Sequence, residues 1–223
     1  MNPPLMLLLS LALAVSPDAP SPSSMPASMP DSPAATPDSV FPATAARVYA
    51  IVPEQSEAGF DLKTTWHTVH GKSHSIRGEI RLPNGLTTRG AAVRLSLDAA
   101  SLDSGNGKRD GDMREKFLEV AQYPTLEFQG DVATGDIKTD ASSQLTLRGS
   151  FTAHGVSVPM EVQVECRFEG DLATCDTHFP LTLSGFAIRD PSKFFAKASD
   201  DLTAHAHLVG RRLIPPASAS PAP

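Results

Sequence analysis

The chain is poor in basic residues and in cysteine. Residues 1–46 contain no lysine or arginine. The acidic residues of this segment are Asp18, Asp31 and Asp38. The rest of the chain contains 22 acidic and 19 basic residues and no basic stripe. This charge distribution argues against nucleic acid as a partner, and charge alone is not expected to draw the protein to an anionic membrane. The two cysteines show no zinc-binding spacing.

Motifs of catalytic chemistry are also missing. The stretch Gly71-Lys-Ser-His-Ser75 approaches the Gly-x-Ser-x-Gly elbow but lacks its second glycine. Phosphate-binding loops and dinucleotide fingerprints are absent. His205 and His207 share the outward face of a predicted strand, without an evident third metal ligand. We therefore expect no catalytic residue, no metal and no cofactor.

The apolar run over residues 5–15 is too short to span a bilayer. It is typical of a signal-peptide h-region, and Ala12-Leu13-Ala14 offers a small-x-small cleavage site, although Met1-Asn-Pro-Pro carries no positive charge. We expect residues 1–15 to be a signal peptide and the protein to be periplasmic or secreted.

Prolines and glycines divide the chain into tails and one domain. Residues 1–46 carry 10 of the 20 prolines and residues 214–223 carry four, whereas all 15 glycines lie between Gly59 and Gly210. Residues 16–46, rich in Pro, Ser and Ala, are predicted to be a disordered linker, and residues 214–223 a disordered tail. Residues 47–213 are long enough to form one domain with a substantial apolar interior.

Apolar and polar residues alternate through this domain with the period of β-strands. The clearest case is residues 160–169, where Val162 and Val164 face opposite to Glu161 and Gln163. Strands are predicted near 47–52, 57–66, 69–82, 90–98, 124–134, 143–153, 156–168, 173–184 and 199–210. Because every strand has one apolar face, the pattern favours an antiparallel sheet that closes on itself and leaves no exposed edge.

One segment departs from the alternation. Apolar residues recur every three to four positions over residues 112–120, which predicts a single short helix. Asp112 with Glu115 forms an acidic variant of the capping box, and the residue before Pro124 is pushed out of helical conformation. The helix is expected to lie across the barrel and to offer Phe117 to its interior.

The stretch over residues 101–128, in which a glycine-rich turn precedes the helix, Tyr-Pro and a strand, is the most specific of five landmarks. The others are Tyr49-Ala-Ile51 with Gln55, Ser56 and Phe60, residues 71–80, residues 149–159, and residues 186–191 with 197–200. Together they resemble the YceI family, whose members are secreted barrels that hold isoprenoids or other long-chain lipids. The resemblance implies an all-β fold, an extended antiparallel lipocalin-like barrel of about eight strands with one short helix and room for one elongated ligand.

For function, the resemblance implies that a polyisoprenoid, quinone-like molecule or fatty-acid derivative is bound in the barrel cavity, for sequestration or transport and without catalysis. The strand alternation predicts which side chains face inward and would line the cavity. They are Phe60, Leu62, Trp66, Ile80, Leu95, Leu97, Phe117, Leu126, Phe128, Leu147, Phe151, Val162, Val164, Phe168, Phe179, Leu181, Phe186 and Ile188.

Charged residues near the helix are candidates for the rim of the cavity. Arg109, Asp110 and Arg189 are placed to meet a ligand headgroup. The competing interpretation is structural, with Asp110 capping the helix and Arg109 paired to a carboxylate.

Cys166 and Cys175 lie symmetrically about Gly170-Asp171, opposite each other across a predicted hairpin. In an oxidising compartment this arrangement favours a cross-strand disulfide. Two other functions stay open: a hydrolase or isomerase on the same barrel, and a scaffold that binds another protein by its polar face. The sequence also leaves open a homodimer.

Overall fold

A computed structural model of the chain describes residues 46–83, 85–193 and 197–214. The predicted signal peptide lies outside these residues, as do all but one residue each of the predicted linker and tail. The described residues form ten strands. These are β1 (Arg47–Ile51), β2 (Glu57–Thr64), β3 (Thr68–Ser73), β4 (Ile76–Leu82), β5 (Ala92–Asp98), β6 (Thr125–Thr134), β7 (Ser142–Ala153), β8 (Val156–Glu169), β9 (Leu172–Thr182) and β10 (Ala198–Arg212).

Eight of these strands close into an antiparallel ring in the order β1-β4-β5-β6-β7-β8-β9-β10, and β10 pairs back onto β1. β2 continues along the same edge of β10, where Leu202 pairs with Leu62, and β3 pairs in turn with β2. The predicted antiparallel barrel of about eight strands is therefore confirmed. None of the helices in the described ranges has the length and apolarity that a bilayer crossing requires.

Two strand predictions need correction, because the chain breaks where one long strand was expected. Residues 69–82 form β3 and β4, separated at His74 and Ser75, where the Ser75 N–H donates to Ser73 Oγ at 2.9 Å rather than to a neighbouring strand. β2 ends at Thr64 and not at residue 66.

One end of the barrel is filled with side chains. Tyr49, Leu82 and Phe168 are at most 2 % exposed there, and the Tyr49 and Phe168 rings meet edge to face with centroids 5.7 Å apart. Interiors packed in this way leave little free volume. This closed end sets the base of any cavity.

The helix begins earlier than predicted. α1 spans Gly107–Asp112 and continues as a π-helical turn over Met113–Phe117. Its N-cap is Asn106, whose side chain accepts the Arg109 N–H at 3.1 Å. The predicted cap at Asp112 is wrong, because that carboxylate instead pairs with Lys116 at 2.5 Å, one turn further along.

The end of the helix also differs from the prediction. The Leu118 N–H donates to Met113 O at 2.8 Å, and Glu119 then adopts a left-handed conformation with φ of 47°. The helix therefore ends before Pro124 and not because of it. Sequence periodicity could not show this, since the left-handed residue is not a glycine.

Cys166 and Cys175 are directly paired across β8 and β9 and form a disulfide, with Cα atoms 4.1 Å apart, which confirms the predicted bridge. We expect the double variant Cys166→Ala/Cys175→Ala to lower the free energy of unfolding by about 2 to 3 kcal/mol, since the bridge closes a short loop in the unfolded chain. Denaturant titration measures the change. The same titration in reductant should bring the wild type to the variant's midpoint, and equal midpoints for oxidised wild type and variant would contradict the prediction.

Candidate functional site

The barrel encloses an apolar cavity of about 260 Å³. Every predicted inward residue except Trp66 lies in its wall. The wall is built by alternate positions of successive strands, such as Val162 and Val164 on β8 and Leu145 and Leu147 on β7. Such a lining offers burial to an apolar ligand and few polar partners.

Trp66 was predicted to face the interior, and this is wrong. The strand alternation of Phe60, Leu62 and Thr64 stops when β2 ends, and the next residues turn into β3. The turn carries Trp66 outward, where its side chain is 82 % exposed.

Small residues on β2 and β10 leave much of the room. Ala58 pairs with Ala206, and Ala204 pairs with Phe60, and all of them face the cavity. Next to them Gly71 lets the Phe60 ring pack closely against β3, since a Cβ at Gly71 would come within 2.3 Å of that ring. The sequence shows these alanines on the apolar face of β10 but gives no sign that they border empty space.

Burial falls from the base of the cavity towards its other end. Phe168 and Leu82 at the base are nearly inaccessible, whereas Leu62, Leu181 and Ile188 in the wall are partly exposed. The partly exposed residues lie where β2 and β9 end and where the loop between β9 and β10 begins. This end, which we call the mouth, is the more exposed end of the cavity.

The helical segment covers part of the mouth. Met113, Phe117 and Leu118 lie in the cavity wall, and Phe117 is 7 % exposed. Arg114 ties the segment down, because its guanidinium donates to Ala100 O at 2.7 Å and to Leu102 O at 3.0 Å.

Two arginines are the charged residues of the wall among the described positions. The Arg109 guanidinium donates to Ser104 Oγ and Ser104 O, both at 2.7 Å, and has no carboxylate within ion-pair distance in the described chain. Arg189 is mostly exposed and pairs with Glu119 at 3.1 Å. The predicted pairing of Arg109 with a carboxylate is therefore wrong.

Asp110 was predicted to lie at the rim or to cap the helix, and neither holds. The side chain is 3 % exposed, does not line the cavity and accepts from the Ser104 N–H at 3.0 Å and from the Ser104 hydroxyl. Burial by itself would raise the pKa of Asp110, but the hydrogen bonds from Ser104 and the nearby Arg114 charge together hold it below its usual value. The ionised carboxylate thus fixes Ser104, and Ser104 positions Arg109.

A second polar junction joins three elements at the mouth. Glu119 accepts from Arg189 and lies 3.5 Å from His154 Nε2, and the Arg189 guanidinium also donates to Lys116 O at 2.8 Å. His154 Nδ1 lies 3.2 Å from Phe186 O. These contacts link the end of the helical segment, the β7–β8 hairpin and the loop after β9. The partners are 32 to 73 positions apart in the sequence, so local sequence patterns could not predict that they meet.

The family pattern of the YceI-like domain matches residues 49–209. A UPF0312 protein of Pseudomonas syringae pv. tomato is 26 % identical over 165 residues, which cover 70 % of this chain and 83 % of that protein. A UPF0312 protein of Azotobacter vinelandii is 34 % identical over 80 residues, but the match spans only 35 % of this chain and 38 % of that protein.

Solved structures share the fold. BcnA of Burkholderia cenocepacia superimposes with a TM-score of 0.61 at 18 % identity, covering 71 % of this chain and 98 % of BcnA. A polyisoprenoid-binding domain from Saccharophagus degradans also gives 0.61, at 14 % identity and with 74 % and 98 % covered. With the family pattern spanning the barrel from β1 to β10, this chain belongs to the YceI family.

Proposed function

We propose that this protein binds one long-chain apolar lipid in the barrel cavity, as a carrier or sequestering protein without catalysis. The single observation that carries the proposal is the enclosed apolar cavity with one closed end and one mouth. Burial of apolar surface contributes roughly 25 cal/mol per Å², so an elongated chain gains most of its affinity from contact with this wall. The name of the Saccharophagus domain places polyisoprenoids among the ligand classes to test first.

The polar end of the ligand is proposed to lie at Arg109, with Arg189 further out. Arg109 is held by Ser104 and has no carboxylate partner in the described chain. A guanidinium at an apolar mouth favours an acceptor-rich or anionic headgroup, because a charged donor makes its strongest hydrogen bonds to such groups.

Carriage is favoured over the alternative of a hydrolase or isomerase by what the nucleophile-like residues do. Ser73, from the stretch that approaches a nucleophile elbow, is buried, and its hydroxyl lies 2.6 Å from Ser101 Oγ and accepts the Ser75 N–H. Both cysteines are joined in the disulfide. Each of these side chains has a structural partner.

We further propose that the protein works in the periplasm or outside the cell. The Cys166–Cys175 disulfide supports this, because such bridges persist in oxidising compartments. The predicted signal peptide over residues 1–15 points the same way.

The test is lipid extraction from the purified full chain, followed by mass spectrometry. We expect one class of long-chain compound at about one molecule per protein. Arg109→Gln should lower its amount or shift it towards lipids without an anionic head, whereas Arg77→Gln, an exposed arginine on β4, should not. A wild-type protein that is repeatedly empty, and that takes up no added polyisoprenyl phosphate, quinone or fatty acid, would refute the proposal.

A further inference from the structure

Trp66 is a large apolar side chain held in water at 82 % exposure, and it is the only tryptophan of the chain. The turn that carries it is well ordered by hydrogen bonds. The Thr64 N–H donates to His67 O at 2.9 Å, the Thr64 hydroxyl donates to the same oxygen at 2.6 Å, and the Thr65 N–H donates to Lys197 O at 2.9 Å. These hydrogen bonds fix the backbone of the turn that carries the exposed indole.

This turn lies beside the mouth of the cavity. Thr64, two residues before Trp66, is part of the cavity wall, as is Ala198, which follows Lys197. Lys63 and Lys197 flank the turn, both are exposed, and neither has an ion-pair partner among the residues that the structure describes. An exposed tryptophan and two exposed lysines thus lie on backbone segments that border the mouth.

We propose that the Trp66 turn docks the mouth of the barrel onto a phospholipid bilayer. Tryptophan favours the headgroup region of membranes, where its ring is buried and its N–H stays hydrated. The lysines can meet lipid phosphates, but Asp200 and Asp201 lie close by on β10, so the indole supplies most of the attraction. With the mouth at the bilayer, an apolar ligand enters the cavity without crossing water.

A bilayer fits this surface better than a protein partner does. Protein hot spots lie within a wider patch whose surrounding contacts exclude water. In the described chain the other exposed large apolar residues are Leu172, Leu213 and Ile214, at the start of β9 and the end of β10. They belong to the closed end of the barrel, so among the described residues Trp66 is the exposed large apolar side chain at the mouth. Docking does not depend on the proposed function, whereas ligand transfer does.

Because Trp66 is the only tryptophan, its emission reports directly on docking. The full chain is mixed with phosphatidylcholine vesicles, with and without phosphatidylglycerol. We expect emission to move to shorter wavelength on both and to be quenched by lipids brominated in the acyl chain. In co-sedimentation, Trp66→Ala should bind both vesicles roughly tenfold more weakly, and Lys63→Gln/Lys197→Gln should lose only the additional binding to phosphatidylglycerol. Leu172→Ala, at the closed end, is the matched control and should bind as the wild type.

Unshifted and unquenched emission on both vesicle types would overturn the proposal, as would undiminished binding of Trp66→Ala. Lipid extraction separates this result from the proposed function. A Trp66→Ala protein that keeps its bound lipid but delivers it slowly to acceptor vesicles supports the docking role. A wild-type protein that docks and yet carries no lipid leaves docking in place and removes the proposed function.

Discussion

Replacing Ala206 with tryptophan is expected to leave the barrel folded and unable to hold a long apolar ligand. Ala206 faces the cavity from β10, between Ala58 on β2 and Thr177 on β9. An indole at this position takes up space within a cavity of about 260 Å³ that the ligand would otherwise fill. We expect at least a tenfold loss of bound lipid, or about 1.4 kcal/mol in affinity, measured by extraction and mass spectrometry.

The matched control is Thr203→Trp, on the same strand and on the outer, exposed face. It adds the same indole without entering the cavity and should keep the full amount of lipid. Circular dichroism and thermal unfolding establish that both variants fold. A folded Ala206→Trp protein with undiminished lipid would show that the ligand lies elsewhere.

Asp110→Ala is expected to lower the free energy of unfolding by about 3 to 4 kcal/mol. The substitution removes both hydrogen bonds that Ser104 donates to a buried carboxylate, and bonds to charged groups contribute about 1.5 to 3 kcal/mol each. It also releases Ser104, and with it the Arg109 guanidinium. Denaturant titration measures the loss, and lipid extraction should show a weaker hold on the headgroup.

Asp112→Ala is the comparison for this prediction. Asp112 pairs with Lys116 one turn apart on the same helical segment, where both side chains are partly exposed, and such pairs contribute about 0.2 to 0.5 kcal/mol. Equal losses in the free energy of unfolding for the two substitutions would show that the buried hydrogen bonds of Asp110 contribute no more to stability than the Asp112–Lys116 pair.

The pH dependence of stability follows from the lowered pKa of Asp110. A carboxylate whose pKa is lower in the folded than in the unfolded chain stabilises the fold above its unfolded pKa, about 3.9. That contribution is lost as the pH falls through the lower, folded pKa. The wild type should therefore lose stability more steeply than Asp110→Asn below about pH 4, as pH-dependent denaturant titrations would show. Parallel curves would contradict the expectation.

The barrel wall was largely predictable because a strand's side chains alternate strictly between its two faces. Val162, Val164 and Phe168 were assigned inward from local order alone, and the structure places them there. The disulfide was equally predictable from the sequence, since a short hairpin pairs Cys166 with Cys175. The prediction was wrong for Trp66, because β2 ends at Thr64 and the alternation stops there.

The helical segment shows why other parts of the site were missed. Its N-cap, Asn106, lies in a glycine-rich stretch that resembles an ordinary turn, and its end depends on a left-handed Glu119. Glu119 in turn contacts His154 and Arg189, which are distant in sequence. Partners so far apart are brought together only by closure of the barrel.

The amino-acid sequence by itself determined the side of the sheet on which each strand residue lies, and so the apolar lining and the antiparallel barrel. Tertiary structure decided which lining residues border free space and which are packed, because that depends on how the sheet curves and closes. It also decided that Asp110 holds Ser104, that Arg109 is left without a carboxylate in the described chain, and that Trp66 points away from the cavity. These properties arise from contacts between segments, which local alternation does not encode.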